Sequence, residues 1–473
     1  MKLLIRDDWE LVGYRRLPYI LRSKNSAEEI FLSERQMKLL LDCSGLHDVD
    51  PAAQGGWINA LLEAGVLTEA DAAHPFRLTP YRYYDSVYRK SVHWSVTGRC
   101  NYRCRHCFME APDAKFPEPS LELLKNYADQ MAECGIRDVG ITGGEPLIRP
   151  DFLELIDHLC GRGIRVSVIY SNGRLVTEQL LRALDERGVY CPFQFSYDGT
   201  EGWHDWLRNV EGAEADVLRA IGLCRKHRRP VSVSMCVHKG NVHTIRDSIR
   251  LLASHGVGSV KINGIRAVGA WKNWPEYALS REELCRAYLE YIPRYFADDA
   301  PVDLMLDGFF SYLRGRSRYS SGFVLGCDPE QLGSCYICSV TRTNCYLSPD
   351  GQVLPCMSMA GTPVGARFPY LREHSLREIF NDSFLTTAGD YTIQDFAEHN
   401  PACRACGHLG DCSGGCRASA AGDLYDDFLL PDMDMCRFFR EGWNDRIREK
   451  ADPAFRAYLN RHPALQKEAD DFS

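Results

Sequence analysis

The sequence predicts an α/β fold built on a parallel sheet, and three observations carry that expectation. Between residues 91 and 300, six strand-like runs alternate with helical stretches. Alternation of that kind is the pattern of a parallel sheet with helical crossovers, either doubly wound or a partial barrel. Polar, glycine-bearing or cysteine-bearing turns follow the strands directly, where both architectures gather their chemistry.

The elements follow in chain order. Residues 1–90 read as a separate unit. Strand-like runs at Tyr14–Arg22 and Glu29–Leu32 precede a helix at Glu34–Leu41, opened by a capping-box pattern of Ser33 with Gln36. A second amphipathic helix, Trp57–Ala64, leads through Gly65-Val66-Leu67 into a short strand. This order suggests a winged-helix-like module; an N-terminal cap on the next domain is the competing reading. The strands of the alternating region are Ser91–Thr97, Asp138–Thr142, Arg165–Tyr170, Phe193–Tyr197, Val231–Val237 and Ser259–Asn263. Its helices are Leu121–Cys134, Asp151–Arg162, Glu178–Arg187, Asp216–Lys226 and Thr244–His255. Residues 301–440 are rich in cysteine, glycine and short turns, and residues 441–473 form a charged helical tail.

Composition narrows the class. The chain has 473 residues, 45% hydrophobic and 25% charged, with a net charge of −8. That balance argues against a general nucleic-acid binder. MKLLIRDDWE places acids where a secretory apolar core would continue. No apolar run approaches the roughly 18 residues of a membrane span. A cytoplasmic location without nucleic-acid or membrane partners is expected. There, thiols stay reduced, and the 20 cysteines point to metal more than to disulfides.

Ten cysteines are scattered: Cys43, Cys134, Cys160, Cys191, Cys224, Cys236, Cys285, Cys327, Cys335 and Cys345. Core filling is the default for isolated ones. The others form two dense groups. Cys100, Cys104 and Cys107, in CNYRCRHC, follow the first strand. Closed zinc sites take four ligands, and His106, between two of the cysteines, is poorly placed to join them. Three thiolates on a four-iron cluster leave one iron open for a bound molecule.

CNYRCRHC resembles the C-x3-C-x-Φ-C motif of radical S-adenosylmethionine (radical SAM) enzymes, with His106 at the aromatic position and GGEP at the end of the second strand. The resemblance implies a partial (β/α)6 TIM-like barrel and a catalytic 4Fe–4S cluster on Cys100, Cys104 and Cys107. It further implies contact of Gly143, Gly144 and Glu145 with the methionyl amino group. More weakly, Ser171, Asn172 and Ser196 match residues that contact the cofactor. In the family, the reduced cluster gives one electron to the sulfonium, and the resulting 5′-deoxyadenosyl radical takes a hydrogen atom from substrate. Tyr197, Asp198 and Cys236 are candidates to line the reaction space.

The second group is Cys338, Cys356, Cys403, Cys406, Cys412, Cys416 and Cys436, with Gly351 between the first two. It resembles the seven-cysteine SPASM extension of radical SAM enzymes; two zinc ribbons are the competing reading. The resemblance assigns Cys403, Cys406, Cys412 and Cys436 to one auxiliary 4Fe–4S cluster and Cys338, Cys356 and Cys416 to another, giving three clusters in all. Cys335 is the first candidate for the missing ligand, with Cys327 and Cys345 behind it. Otherwise that cluster has an open iron able to take a substrate thiolate. Arg404, Arg417 and Arg342 are candidate donors to thiolates, although each alone reads first as solvated surface charge.

SPASM enzymes that mature ribosomally made peptides often carry an N-terminal winged-helix module for the precursor's leader, and residues 1–90 have a compatible size and order. The expected activity is a peptide maturase installing a thioether, carbon–carbon or carbon–oxygen cross-link. Its electrons would come from an external donor such as flavodoxin or ferredoxin. Alternatives are residue oxidation of the sulfatase-maturating type, peptide epimerisation, or a non-catalytic iron–sulfur scaffold.

Overall fold

The computed structural model describes residues 1–465 apart from 27, 72, 79, 110–115, 323–328 and 423–424. Two compact units form. One comprises residues 1–89, 130–136 and 375–382, and the other comprises the remainder.

In the first unit, β1 (Lys2–Ile5) pairs antiparallel with β5 (Ser44–Asp48) and β6 (Leu67–Glu69). A second sheet runs β4 (Glu29–Leu32), β3 (Tyr19–Ser23), β2 (Trp9–Tyr14) and β7 (Tyr81–Tyr84). The single run expected at Tyr14–Arg22 is two strands, because Arg15–Pro18 form the bend between them. Pro18 has no N–H to give to a ladder. Helices α1 (Glu34–Leu41) and α2 (Ala53–Glu63) complete the unit. The capping box is present: the Gln36 N–H donates to Ser33 Oγ at 3.2 Å, and the Ser33 N–H donates to Gln36 Oε1 at 2.9 Å. Leu3, Leu11, Leu21, Leu40 and Ile58 form the core.

The second unit is organised on one sheet. Its strands are β8 (Ser91–Ser95), β9 (Asp138–Thr142), β10 (Arg165–Ser171), β11 (Phe193–Ser196), β12 (Val231–Val237), β13 (Ser259–Gly264) and β14 (Asp303–Leu306). Each is parallel to the next in chain order. Helices α3 (Leu121–Glu133), α4 (Phe152–Gly161), α5 (Glu178–Glu186), α6 (Trp203–Arg208), α7 (Ala213–Lys226), α8 (Ile245–Ser254) and α9 (Arg281–Ala297) lie between them in sequence.

The sheet is larger than the six strands expected. β14 extends it past residue 300. Beyond β15 (Phe310–Tyr312) and β16 (Ser320–Ser321), which pair antiparallel on that side, the chain returns to place β17 (Asn344–Leu347) parallel to β8 at the other side. The short β18 (Val353–Leu354) then pairs antiparallel with β17. Both parallel additions are only four residues long, and β17 sits among cysteines and turns, where no alternation stands out. Among the described residues β16 and β18 are free sheet edges, so the barrel is partial. The C-terminal tail forms a helix, Trp443–Arg461, whose Phe455 and Tyr458 rings lie 5.2 and 5.6 Å from Phe296 of α9.

The two faces of the central strands differ. Phe193, Phe195, Val233, Met235, Val260 and Ile262 are buried on one face, where α7 packs against β11 and β12. On the other, Ser196, Ser234, Cys236, Lys261 and Asn263 are half-buried. Register sets Ser196 beside Ser234, and Cys236 beside Asn263. Asn263 Nδ2 donates to Ser234 Oγ at 3.1 Å. The central strands thus present a polar face instead of the packed aliphatic layers of a closed barrel.

Arg149 joins the ends of β8 and β9. Its buried guanidinium binds Glu118 at 2.9 Å and Asp151 at 2.8 Å, and donates to the Val96 and Pro119 carbonyls. Removing one partner of such a group leaves the others desolvated and unpaired. Arg149→Met should lower unfolding free energy by about 3–5 kcal/mol, read by denaturant titration.

Candidate active site and cysteine clusters

Because β8–β14 are parallel, the loops after them emerge at one end of the sheet. Backbone bonds tie the first two loops together. The Gly144 N–H donates to the Thr97 carbonyl at 3.0 Å, and the Glu145 N–H to the Arg99 carbonyl at 2.9 Å. A Cβ on Gly144 would stand 2.1 Å from the Arg99 carbonyl oxygen and 3.0 Å from Cys100 Cβ. Glycine is required there by close approach of the chain to itself, besides any ligand.

The cysteine loop is clamped along its length. The Tyr102 N–H lies 3.4 Å from Cys100 Sγ. Asn101 Oδ1 accepts from Asn172 Nδ2 at 2.7 Å. The Arg105 N–H donates to the Leu207 carbonyl at 2.9 Å. The Arg105 guanidinium donates to the Trp206 carbonyl at 2.7 Å and lies 4.8 Å from the rings of both Trp206 and Trp274. The Ala270 N–H donates to the Cys107 carbonyl at 3.1 Å.

Glu145 is wholly buried. Its carboxylate accepts from Ser171 Oγ at 3.0 Å, the Asn172 N–H at 2.8 Å and the Leu147 N–H at 3.2 Å. Burial outweighs these bonds and pushes its pKa up to about 7. Three residues expected to meet the cofactor, Glu145, Ser171 and Asn172, are therefore bonded to one another. Ser196 ends β11, half-buried on the polar face.

Next to this centre lies a buried charged group. Asp198 Oδ2 accepts from Arg208 Nε at 2.6 Å, and Oδ1 accepts from the Cys236 N–H at 2.9 Å. Its own N–H donates to His204 Nδ1 at 3.0 Å. Burial would raise the Asp198 carboxyl, but the Arg208 cation holds it well below the usual carboxylate range. Asp198 is thus a structural anion, and only its backbone-bonded neighbour Cys236 reaches the polar face. Arg208 Nη1 points to Cys104 Sγ at 3.8 Å. Tyr197 is buried, with its hydroxyl donating to Glu214 at 2.7 Å.

The donor set suits the groups that the resemblance implies. Burial pushes the Cys100 thiol up to about 12, and neighbouring Cys104, Glu145 and Cys107 push the same way. Such a set ionises together only around a strongly cationic group. His106 is buried, its Nδ1 has no hydrogen-bond partner among the described residues, and burial lowers its pKa to about 3, so it stands as a neutral imidazole.

Two of the later cysteines have their thiols raised by burial and by other cysteines nearby. Cys356 is pushed up to about 12 by burial, with Cys416 and Cys338 adding to it. Cys412 is raised by burial and by Cys403, Cys406 and Cys436. Among the described residues no three His, Cys, Asp or Glu side chains converge on a single ion. Arg417, expected at the surface, is buried and donates to the Leu430 carbonyl at 2.7 Å and to the Gly414, Gly415 and Phe428 carbonyls. It lies near Cys416, Cys338 and Cys412. Arg404 is exposed, and Arg342 lies 3.7 Å over the Tyr336 ring. Gly415 has φ +77°, and a Cβ there would meet Asp432 at 2.4 Å.

The candidates for the eleventh ligand fare differently. Cys335, the first candidate, is disulfide-bonded in this cluster-free structure. Cys345 is a buried residue of β17, and Cys327 lies outside the described residues. Of the cysteines read as core filler, Cys43, Cys134, Cys191, Cys224 and Cys285 are buried, whereas Cys160 is exposed on α4. Arg208, Asn101 and Asn241, which donates to the Asp198 carbonyl at 2.6 Å, were not singled out from sequence. Asn101 lies inside the motif and was findable; Arg208 and Asn241 sit in stretches with no local pattern.

With this geometry described, comparison with known proteins identifies the class. The Radical SAM superfamily model matches residues 94–252. The SPASM iron–sulfur cluster-binding domain model matches residues 338–407. The chain thus carries a radical SAM domain followed by a SPASM domain. It is similar to the antilisterial bacteriocin subtilosin biosynthesis protein AlbA of Bacillus subtilis, at 23% identity over 392 residues, 79% of each chain. It is also similar to an AdoMet-dependent heme synthase of Nitratidesulfovibrio vulgaris, at 28% identity over 364 residues, 74% of this chain and 93% of that one. Its fold resembles Streptococcus suis SuiB bound to precursor peptide SuiA, with TM-score 0.60 and 16% identity, over 90% of this chain and 99% of SuiB.

Two outcomes test the site. Gly144→Ala should displace the cysteine loop and remove about four iron atoms per chain after anaerobic reconstitution. Gly161→Ala, whose Cβ meets nothing within 4 Å, should leave iron content unchanged. The raised pKa of Glu145 means that the folded state holds more protons than the unfolded state between the ordinary 4.5 and about 7. Its contribution to stability therefore falls as pH rises through that window. Glu145→Gln should flatten that fall, on the order of 3 kcal/mol in the wild type, in denaturation at several pH values.

Proposed function

We propose that the chain is a radical SAM peptide maturase that takes hydrogen from a ribosomally made precursor and installs a thioether, carbon–carbon or carbon–oxygen cross-link. The observation that carries this reading is the C-x3-C-x2-C loop tied through the backbone to the loop that bears the buried Glu145 carboxylate, followed by seven cysteines in the SPASM spacing. Three cysteine sets suit one catalytic and two auxiliary 4Fe–4S clusters, and two auxiliary clusters suit a net two-electron oxidation.

Cys100, Cys104 and Cys107 would hold the catalytic cluster. Cys403, Cys406, Cys412 and Cys436 would hold one auxiliary cluster, and Cys338, Cys356 and Cys416 the other. When bound, these groups and S-adenosylmethionine supply the one-electron cleavage that starts hydrogen abstraction. The protein's part is placement. Glu145, kept in position by Ser171 and Asn172, offers a buried carboxylate to an ammonium, where charge-assisted bonding is strong. Gly143 and Gly144 keep that carboxylate next to Cys100. His106 offers its free nitrogen, and Ser196 a hydroxyl at the rim of the polar face. Ser234, Cys236, Lys261 and Asn263 would line the space for the peptide.

The leader would add a strand to the open edge of β4, where Phe31 is 52% exposed. Several large apolar side chains of residues 1–89 are also exposed, including Leu17, Leu46 and Leu78, as a docking surface requires. Among the described residues no helix is long and apolar enough to cross a membrane. A reducing cytoplasm and an external flavodoxin or ferredoxin complete the proposal. The heme-synthase relatives give a second reading, with a tetrapyrrole as substrate.

Co-expression with a short precursor peptide encoded nearby decides between these readings. A mass loss of two hydrogens supports the cross-link. Unchanged mass with deuterium uptake supports epimerisation, and an unmodified peptide together with turnover of an iron porphyrin supports the second reading. Cys104→Ala should abolish 5′-deoxyadenosine formation in dithionite-reduced protein.

A further inference from the structure

The strongest group outside the proposed ligand set is the chain of contacts that runs from the end of β11 to the cysteine loop. Arg208, the last residue of α6, carries its guanidinium into the interior. Nε donates to Asp198 Oδ2 at 2.6 Å, and Nη1 reaches Cys104 Sγ at 3.8 Å. Asp198 is in turn fixed by the Cys236 N–H at 2.9 Å and by the bond of its own N–H to His204. Asn241 Nδ2 holds the Asp198 carbonyl at 2.6 Å. The Arg208 backbone is fixed as well, since the adjacent Leu207 carbonyl accepts from the Arg105 N–H at 2.9 Å. The cation therefore has one place to be, against a sulfur of the cysteine loop, and Asp198 has no exposed surface.

We propose that Arg208 is a positioning residue that sets the reduction potential of the cluster held by Cys100, Cys104 and Cys107. The proposal rests on the reading of those three cysteines as its ligands. Reduction adds one electron, and so one negative charge, to a cluster already carrying thiolates. A fixed cation donating to one thiolate stabilises the more negative, reduced form and raises the potential. In a dry interior that effect is larger than at a surface. Asp198 then serves to aim Arg208, and it partly offsets the charge.

The test is an EPR redox titration of the full-length reconstituted protein, following the cluster signal that changes when S-adenosylmethionine is added. Arg208→Gln should move its midpoint negative. A tenfold fall in the reduction equilibrium corresponds to 59 mV for one electron. Arg208→Lys should recover part of the shift, because the charge remains and the two-ended geometry does not. Asp198→Asn, which keeps Arg208, serves if Arg208→Gln does not load iron; it should weaken the aim of the cation and alter the same midpoint. Unchanged midpoints in variants that load full iron would overturn the proposal, as would weaker S-adenosylmethionine binding with no change in potential. Absence of any S-adenosylmethionine-responsive signal in the wild type would instead overturn the assignment of the cluster itself.

Discussion

The short approach between the Arg99 carbonyl and the backbone of Gly144 and Glu145 is the contact on which the site depends. It is made between the loops of two adjacent parallel strands, so it exists only because β8 and β9 are in register. Through it the cysteine loop and the buried carboxylate of Glu145 become one rigid piece. Asn172 adds a third loop by bonding to both Asn101 and Glu145. A reaction that starts by electron transfer between two bound groups needs their holders to be fixed relative to each other, and here the backbone does the fixing.

A second theme is the use of buried charge. Glu145 is held by neutral donors, and burial dominates, so its proton affinity rises. Asp198 faces a guanidinium at 2.6 Å, and it stays ionised. Two carboxylates at the ends of strands β9 and β11 therefore have opposite shifts in proton affinity, one raised by burial and one lowered by a neighbouring cation. Arg417 plays a comparable structural part among the later cysteines. Its donors are taken up by main-chain carbonyls, which bind the CSGGC turn to the segment around Leu430.

Much of this was legible in the sequence. The six strands that the alternation marked all occur, with ends shifted by a residue or two where the last turn or cap differs. The capping box at Ser33 and Gln36 was readable because it is local. Other features were not. β14 and β17 are four residues each, and β17 joins the sheet across some 250 residues of chain. Arg208 lies in a helix whose pattern shows nothing about Asp198, and Arg417 looked like an ordinary surface cation.

The sequence by itself determined the radical SAM and SPASM resemblance, because the cysteine triplet and GGE are recognised by identity and short spacing, which survive in one dimension. It also determined the parallel α/β class, since periodicity is a property of local runs. Only the tertiary structure decided which carboxylate has its proton affinity raised and which lowered, and where the buried arginines aim. Those properties depend on distance and exclusion of water between segments far apart in the chain, and no local pattern encodes them.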